Sequence, residues 1–400
     1  MSTPSIRITG ALVPHVRGFH DELIALGYQP APAVFQLRLM AHVSRWLEAR
    51  GLVPGNFTVE SIEQFLRGRR RAGYAGWRTA RGLAPLLAYL RRGGVVPHPP
   101  VVARTAVERL VDTYCDHLCG ERGLMARTIE HYQRGAVRFL EEMFPSDKPE
   151  PARLTAGQVS QFVVSDCRGK SITHAKLVVS TLRSLLRFLY LRGWTPRPLT
   201  AAVPAVASWR LSSLPRPVEQ RYVALLLRSC DRSTAAGQRS YAIILLLARF
   251  GLRAGEVAAL TLDDVDWVAG TILVRGKSRQ EEKLPLPADV GTALVAYLRR
   301  GRPRASSRAL FLRRFAPIGP ISRSVVTHLV RMACVRAGIP GFGAHRLRHT
   351  AATQMLRRGA PLSLIAQALR HRSTQSTAIY AKVDRDALRA VAQRWPGGAA

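Results

Sequence analysis

His345-Arg346-Leu347-Arg348-His349-Thr350 decides how the rest of the chain is read. It opens a stretch, His345 to Arg358, that reads as a helix. His345 and Arg348 are one helical turn apart, so an imidazole and a guanidinium share one face. Upstream lies Gly251-Leu252-Arg253-Ala254-Gly255-Glu256, with an acid three residues after an arginine. Downstream, His371 follows Leu369-Arg370, and Tyr380 comes nine positions later.

The segments between these clusters sketch a fold. Tyr222 to Cys230 and Ser240 to Phe250 read as helices. Leu260 to Trp267, Thr271 to Arg275 and Glu282 to Pro287 read as short strands. The last two would form a hairpin across Gly276-Lys277-Ser278. Helices resume over Arg323 to Gly338, Leu362 to Leu369, Ser376 to Tyr380 and Arg385 to Arg394. The C-terminal half is therefore expected to be mostly helical, with one small antiparallel sheet.

Proline-rich stretches at Val95 to Val102 and Pro196 to Pro217 favour extended linkers. They divide the chain into 1–100, 101–205 and 206–400. The first two pieces resemble each other. Leu83, Leu86, Leu87 and Leu90 recur 99 residues later as Leu182, Leu185, Leu186 and Leu189, and Gly94 recurs as Gly193. Phe57-Thr58 and Phe65 match Leu154-Thr155 and Phe162 at an offset of 97, and Arg45 to Glu48 resembles Arg138 to Glu141 at 93. Each piece reads as four or five short helices, with Thr58 and Thr155 as N-cap candidates.

Composition narrows the function. Lys plus Arg is 60 against 26 Asp plus Glu, a net charge of +34. All but Lys148, Lys170, Lys176, Lys277, Lys283 and Lys382 are arginine. Such a surface repels itself, and a polyanionic partner relieves the repulsion. Arginine suits bidentate phosphate contacts. Hydrophobic residues make up 47%, which excludes a disordered basic tail. The longest apolar run, Tyr241 to Ala248, is far short of the roughly 20 residues that span a bilayer, so no membrane role is expected. No signal-peptide pattern opens the chain, and the five scattered cysteines read as reduced cytoplasmic thiols. Cys115 and Cys119 lack a second pair for a zinc site. No phosphate-binding Gly-x-x-x-x-Gly-Lys loop occurs. Asp263, Asp264 and Asp266 could be read as a metal-nuclease site, but with no partner carboxylate cluster a strand edge and turn is the better account.

The basic and phenolic groups match one reaction better than any other. Cleaving a phosphodiester without a metal needs a nucleophile, charge neutralisation and an acid for the leaving oxygen. Arg253, Arg348 and an imidazole can hold the non-bridging oxygens. A tyrosine phenol such as Tyr380 can attack and keep the phosphate covalently. Its ordinary pKa is about 10, so cations or a base must assist. His345 could share that proton work, and Lys277 in the hairpin turn could protonate the departing 5′-oxygen.

Arg253-x-x-Glu256, the hairpin Gly276-Lys277, His345-x-x-Arg348-His349-Thr350 and His371 nine residues before Tyr380 resemble the tyrosine recombinase (phage integrase) family. The resemblance covers roughly residues 215–400, and residues 105–200 resemble the family's helical core-binding domain. It implies a SAM-like helical unit before a mixed α/β, mostly helical catalytic domain, and the internal similarity makes 1–100 a second SAM-like unit. It also implies that Arg253, Lys277, His345, Arg348 and His371 activate the phosphate, that Tyr380 is the nucleophile, and that Glu256 supports Arg253. Two features depart from the pattern: Arg370 stands where the family usually has glycine, and 1–100 is an extra helical unit. With the Leu369-Arg370-His371 and Tyr380-Ala381-Lys382-Val383-Asp384 wording, the chain looks like recombinases of mobile elements. The expected partners are double-stranded DNA and other subunits, as a homo-tetramer or a mixed assembly, with no cofactor and no small-molecule substrate. A type IB topoisomerase-like enzyme and a catalytically idle DNA-binding relative are the alternatives.

Overall fold

The computed structural model describes residues 6–99, 103–207, 217–276, 281–370, 377 and 379–380. The chain divides into two compact units, Pro100–Ser212 and a unit joining Met1–Pro99 to Ser213–Ala400. Lys277, His371 and the helix expected over Arg385 to Arg394 lie outside the described residues.

The N-terminal helices are α1 (Val16–Ala25), α2 (Pro30–Glu48), α3 (Val59–Arg71) and α4 (Ala80–Arg92). Unit Pro100–Ser212 holds α5 (Ala106–Gly120), α6 (Ala126–Met143), α7 (Ala156–Cys167) and α8 (Ile172–Leu191). Several positions matched in sequence take like places in the two pieces. Leu83, Leu86, Leu87 and Leu90 are all buried on α4, and Leu182, Leu185, Leu186 and Leu189 are all buried on α8. Gly94 and Gly193 both follow their helix in the left-handed conformation, φ +66° and +70°. Thr58 and Thr155 both occupy N-cap positions. They behave differently there. Thr155 accepts the Gln158 N–H at 3.3 Å, whereas the Thr58 hydroxyl donates to Glu60 at 2.7 Å. Each piece closes its own core, around Phe19, Leu37, Phe57 and Phe65 in one and Tyr114, Phe139, Phe162 and Phe188 in the other.

The C-terminal part contains α9 (Gln220–Arg228), α10 (Ala235–Phe250), α11 (Ala254–Ala259), the strands β1 (Val265–Asp266), β2 (Thr271–Arg275) and β3 (Glu281–Pro285), then α12 (Ala288–Ala296), α13 (Arg323–Arg336), α14 (Ala344–Arg357) and α15 (Leu362–Ala368). The sheet is antiparallel in the order β1-β2-β3, with Arg275 opposite Glu281. The long strand expected over Leu260 to Trp267 shrinks to two residues. Asp264 accepts the Thr261 N–H at 2.8 Å and closes a turn over Leu262–Asp264, which leaves only Val265 and Asp266 to pair. α12 has no counterpart among the sequence expectations. Its last turn runs on as a π-helix over Tyr297–Gly301, and Tyr297 buries its ring against Phe311.

α10 carries the core of this part, with Ala242 to Leu247 buried. Gly251 ends it at φ +59°. A methyl group there would sit 2.8 Å from Leu369 Cδ2 and 3.2 Å from Ala351 Cβ, so glycine lets α10, α14 and the turn after α15 meet. Among the described residues, no helix is long and apolar enough to cross a membrane.

Candidate active site

The junction of α10, α11, α14 and the turn after α15 gathers most of the singled-out side chains. Arg253 is the N-cap of α11, and Glu256 is its third residue. That spacing lets the Glu256 carboxylate reach back to the Arg253 N–H at 2.8 Å, as in a capping box. The other oxygen accepts from the Arg253 guanidinium at 2.6 Å. The Arg-x-x-Glu pattern is thus a helix start that also orients a cation. Arg253 keeps its side chain 37% exposed, while Glu256 is buried.

Arg348 is among the largest fully buried side chains of the molecule. One guanidinium nitrogen donates to the Gly251 carbonyl at 2.8 Å and the other to the Leu369 carbonyl. Gly251 therefore ends α10, permits the close approach and presents the acceptor that aims Arg348. Burial lowers the Arg348 pKa to about 10, and neighbouring Arg253 pushes the same way.

His345 sits in the first turn of α14 and keeps an exposed edge. Partial burial, then Arg348, Arg253 and Arg323, hold its pKa below the ordinary value. Its ring lies edge-on to His349, with centroids 4.4 Å apart. His349 is the residue to which sequence reasoning gave no role. Its Nδ1 is 2.9 Å from the Tyr380 hydroxyl. Burial, followed by His345, Arg348 and Arg346, lowers the His349 pKa to about 4, so the imidazole is neutral near pH 7. A neutral ring in its Nε2–H tautomer accepts the phenol O–H at Nδ1. The available signal was its position four residues after His345, on the same helical face.

Tyr380 has helical backbone and is 1% exposed, packed with Ala352, Ile365 and Leu369. Burial raises its pKa, while Arg348 and Arg253 oppose the rise. The site thus places an acceptor on the phenol and two cations near enough to favour its anion.

Arg370 adopts the left-handed conformation at φ +55°. That is the backbone a glycine would supply, so the turn geometry survives the arginine. Its guanidinium pairs with Glu256 at 3.0 Å. Burial works against the Glu256 carboxylate, but Arg370 and the hydrogen bonds from Arg253 outweigh it and hold its pKa below the ordinary value.

The acidic cluster is engaged elsewhere. Asp263 pairs with Arg308, Asp264 with Arg275, and Asp266 accepts from the Val268 and Ala269 N–H groups. Among the described residues, no group of three or more His, Cys, Asp or Glu could hold a metal ion.

Residues 218–386 match the model of the phage integrase family, and residues 111–193 match its N-terminal SAM-like domain. A putative integrase/recombinase, y4rA, of Sinorhizobium fredii is 42% identical over 98% of this chain and 96% of its own length. Tyrosine recombinase XerD of Mycobacterium tuberculosis is 34% identical over 71% of this chain and 95% of its own. XerH site-specific recombinase bound to its difH substrate in a pre-cleavage complex shares the fold, with a TM-score of 0.55 at 19% identity, covering 72% of this chain and 98% of that one. A lambda integrase dimer bound to a COC′ core site superposes with a TM-score of 0.53 at 17% identity, covering 72% of this chain and 97% of that one. The two matched segments and the full-length relatives together place the chain in the phage integrase family of tyrosine recombinases.

Proposed function

We propose that this recombinase cuts and rejoins DNA at specific sites through Tyr380. The phenolic oxygen attacks the scissile phosphorus, the bond to the 5′-oxygen breaks, and a 3′-phosphotyrosine remains. His349 takes the phenolic proton. Lys277 supplies a proton to the departing 5′-oxygen, and His371 helps hold the phosphate. Arg253, Arg348 and His345 offset the charge that grows on the non-bridging oxygens. A 5′-hydroxyl from a second site then attacks the phosphotyrosine and releases the tyrosine. The phosphotyrosine conserves the energy of the broken bond, so ATP is not required, and the guanidiniums meet the charge that a metal would otherwise neutralise.

The observation that carries this reading is the convergence of Arg253, Arg348 and the His349–Tyr380 hydrogen bond at one junction, from segments spread over more than a hundred residues of sequence. XerH and lambda integrase were solved bound to DNA, lambda integrase also as a tetramer on a Holliday junction. By analogy, two DNA sites would be held by four subunits, of this chain alone or mixed with related recombinases, and strands would exchange through such a junction. The two N-terminal helical units would clamp the duplex through phosphate contacts. The reaction would take place in the cytoplasm, on chromosomal or mobile-element DNA.

A nicked suicide duplex that traps the cleaved strand tests the chemistry. Wild type should yield a covalent protein–DNA adduct, and Tyr380→Phe should yield none. An adduct that persists in Tyr380→Phe would move the nucleophile elsewhere.

A further inference from the structure

We propose that Arg370 is a positioning residue for phosphate activation: it shares the Glu256 carboxylate with Arg253, anchors the Arg253 guanidinium through its own carbonyl, and ties both to β3. The proposal rests on the recombinase reading above and assigns a role to the position where this chain departs from its family's glycine.

Three observations lead there. First, Arg370 occupies a backbone conformation, φ +55°, that glycine adopts freely and arginine does not. Within the turn itself the arginine gains one hydrogen bond, from Nη1 to the Ala368 carbonyl at 3.1 Å. Second, its charged side chain is only 4% exposed, and its Nε is buried without a hydrogen-bond partner. Burying a guanidinium with one donor unsatisfied costs stability. A left-handed, buried, incompletely satisfied arginine is a poor choice for folding alone.

Third, its ion pair with Glu256 and its carbonyl both bear on the phosphate-binding cations. Glu256 Oε2 receives Arg370 Nη2 at 3.0 Å and the Arg253 N–H at 2.8 Å, while Oε1 receives Arg253 Nη1 at 2.6 Å. The Arg370 carbonyl accepts from Arg253 Nη2 at 3.3 Å. The adjacent Leu369 carbonyl accepts from Arg348. Residues 369 and 370 thus hold the guanidiniums of both Arg253 and Arg348. On its other side, Arg370 Nη1 lies 3.8 Å from Glu282 of β3, the strand paired with β2.

The electrostatic consequence is specific. With glycine at 370, the full charge of Glu256 would fall on Arg253 and weaken its pull on a phosphate. With arginine, the carboxylate is shared between two guanidiniums, and Arg253 keeps more of its charge for the transition state. Arg370 therefore acts on the rate of cleavage rather than on duplex affinity.

The test compares wild type, Arg370→Gly and Arg370→Lys on suicide duplexes, reading the single-turnover rate of adduct formation, duplex affinity and the urea midpoint. One duplex carries the native scissile phosphodiester. The other carries a methylphosphonate there, which removes one anionic oxygen. Arg370→Gly should cleave the phosphodiester about 10- to 100-fold more slowly. Its affinity should stay within about twofold of wild type. On the methylphosphonate the deficit should shrink to about threefold or less, because less charge must be offset. Arg370→Lys, which keeps the charge but not the fork, should fall between. Equal rates on the phosphodiester would overturn the proposal. A deficit of the same size on both duplexes would also overturn it, since that is the mark of a general structural loss. If Arg370→Gly is unfolded by its urea midpoint, the comparison of the two duplexes with Arg370→Lys decides in the same way. Failure of the wild type to form any adduct would instead remove the recombinase reading itself.

Discussion

The pair His345 and His349 shows how far single residues set conditions for the chemistry. Both imidazoles have lowered pKa values, His349 to about 4, because burial and the guanidiniums of Arg348, Arg346 and Arg253 penalise their protonated forms. Unfolded, each histidine takes a proton near pH 6.5. Between about pH 6.5 and 4 the unfolded chain therefore binds more protons than the folded one. The contribution of this pair is complete above pH 6.5 and is lost as the pH falls through that window. Urea midpoints at pH 7 and pH 5 check this. Wild type should lose about 1 kcal/mol more between the two than His349→Gln, which keeps a hydrogen-bonding group but no titrating ring. The same pH dependence in both proteins would refute a neutral His349. The residue was visible inside the motif, and its spacing put it on the face of His345, but that spacing named no partner for it. Its partner lies 31 positions away, and only the fold joins them.

At the scale of elements, legibility followed the range of the interaction that fixed each one. Helices built on local periodicity were readable, as were the capped start at Thr155 and the leucines shared by α4 and α8. The strand over Leu260 to Trp267 was not, because an aspartate three residues on competed for the Thr261 N–H. The turn at 369–370 was only half readable. Arginine was out of place for a left-handed turn, but the buried carboxylate that compensates it, Glu256, lies 114 residues earlier. Two glycines make the difference between conformation and packing measurable. Gly94 has φ +66° with nothing within 4 Å of an added methyl, so Gly94→Ala should lose only the left-handed penalty, about 1 kcal/mol. Gly251 adds a methyl at 2.8 Å from Leu369 Cδ2 and 3.2 Å from Ala351 Cβ, so Gly251→Ala should lose about 2–4 kcal/mol. It should also slow adduct formation, because its carbonyl aims Arg348. Equal losses in the two variants would mean that α10, α14 and the 369–370 turn do not meet as closely as described.

For the whole molecule, the arginine excess separates into roles that differ in distance from the chemistry. Arg253 and Arg370 share the buried Glu256 carboxylate, and Arg348 is held beside them by the Gly251 and Leu369 carbonyls. Most others stand on the surface, and the N-terminal helices are rich in them. Residues 1–99 carry thirteen arginines against five carboxylates, Asp21, Glu22, Glu48, Glu60 and Glu63. Arg71, Arg78 and Arg81 are exposed around the end of α3 and the start of α4, and none has a carboxylate within ion-pair distance among the described residues. If this unit clamps DNA, those three cations displace counterions from the duplex. Each phosphate contact then contributes about 0.9 to the slope of log affinity against log salt. Neutralising all three to glutamine should reduce the magnitude of that slope by about two to three, and weaken binding most at low salt. Because the three side chains are exposed, the urea midpoint should stay within about 0.5 kcal/mol of wild type. A slope unchanged by the triple substitution would take the first helical unit off the DNA and leave its arginines for a different polyanion.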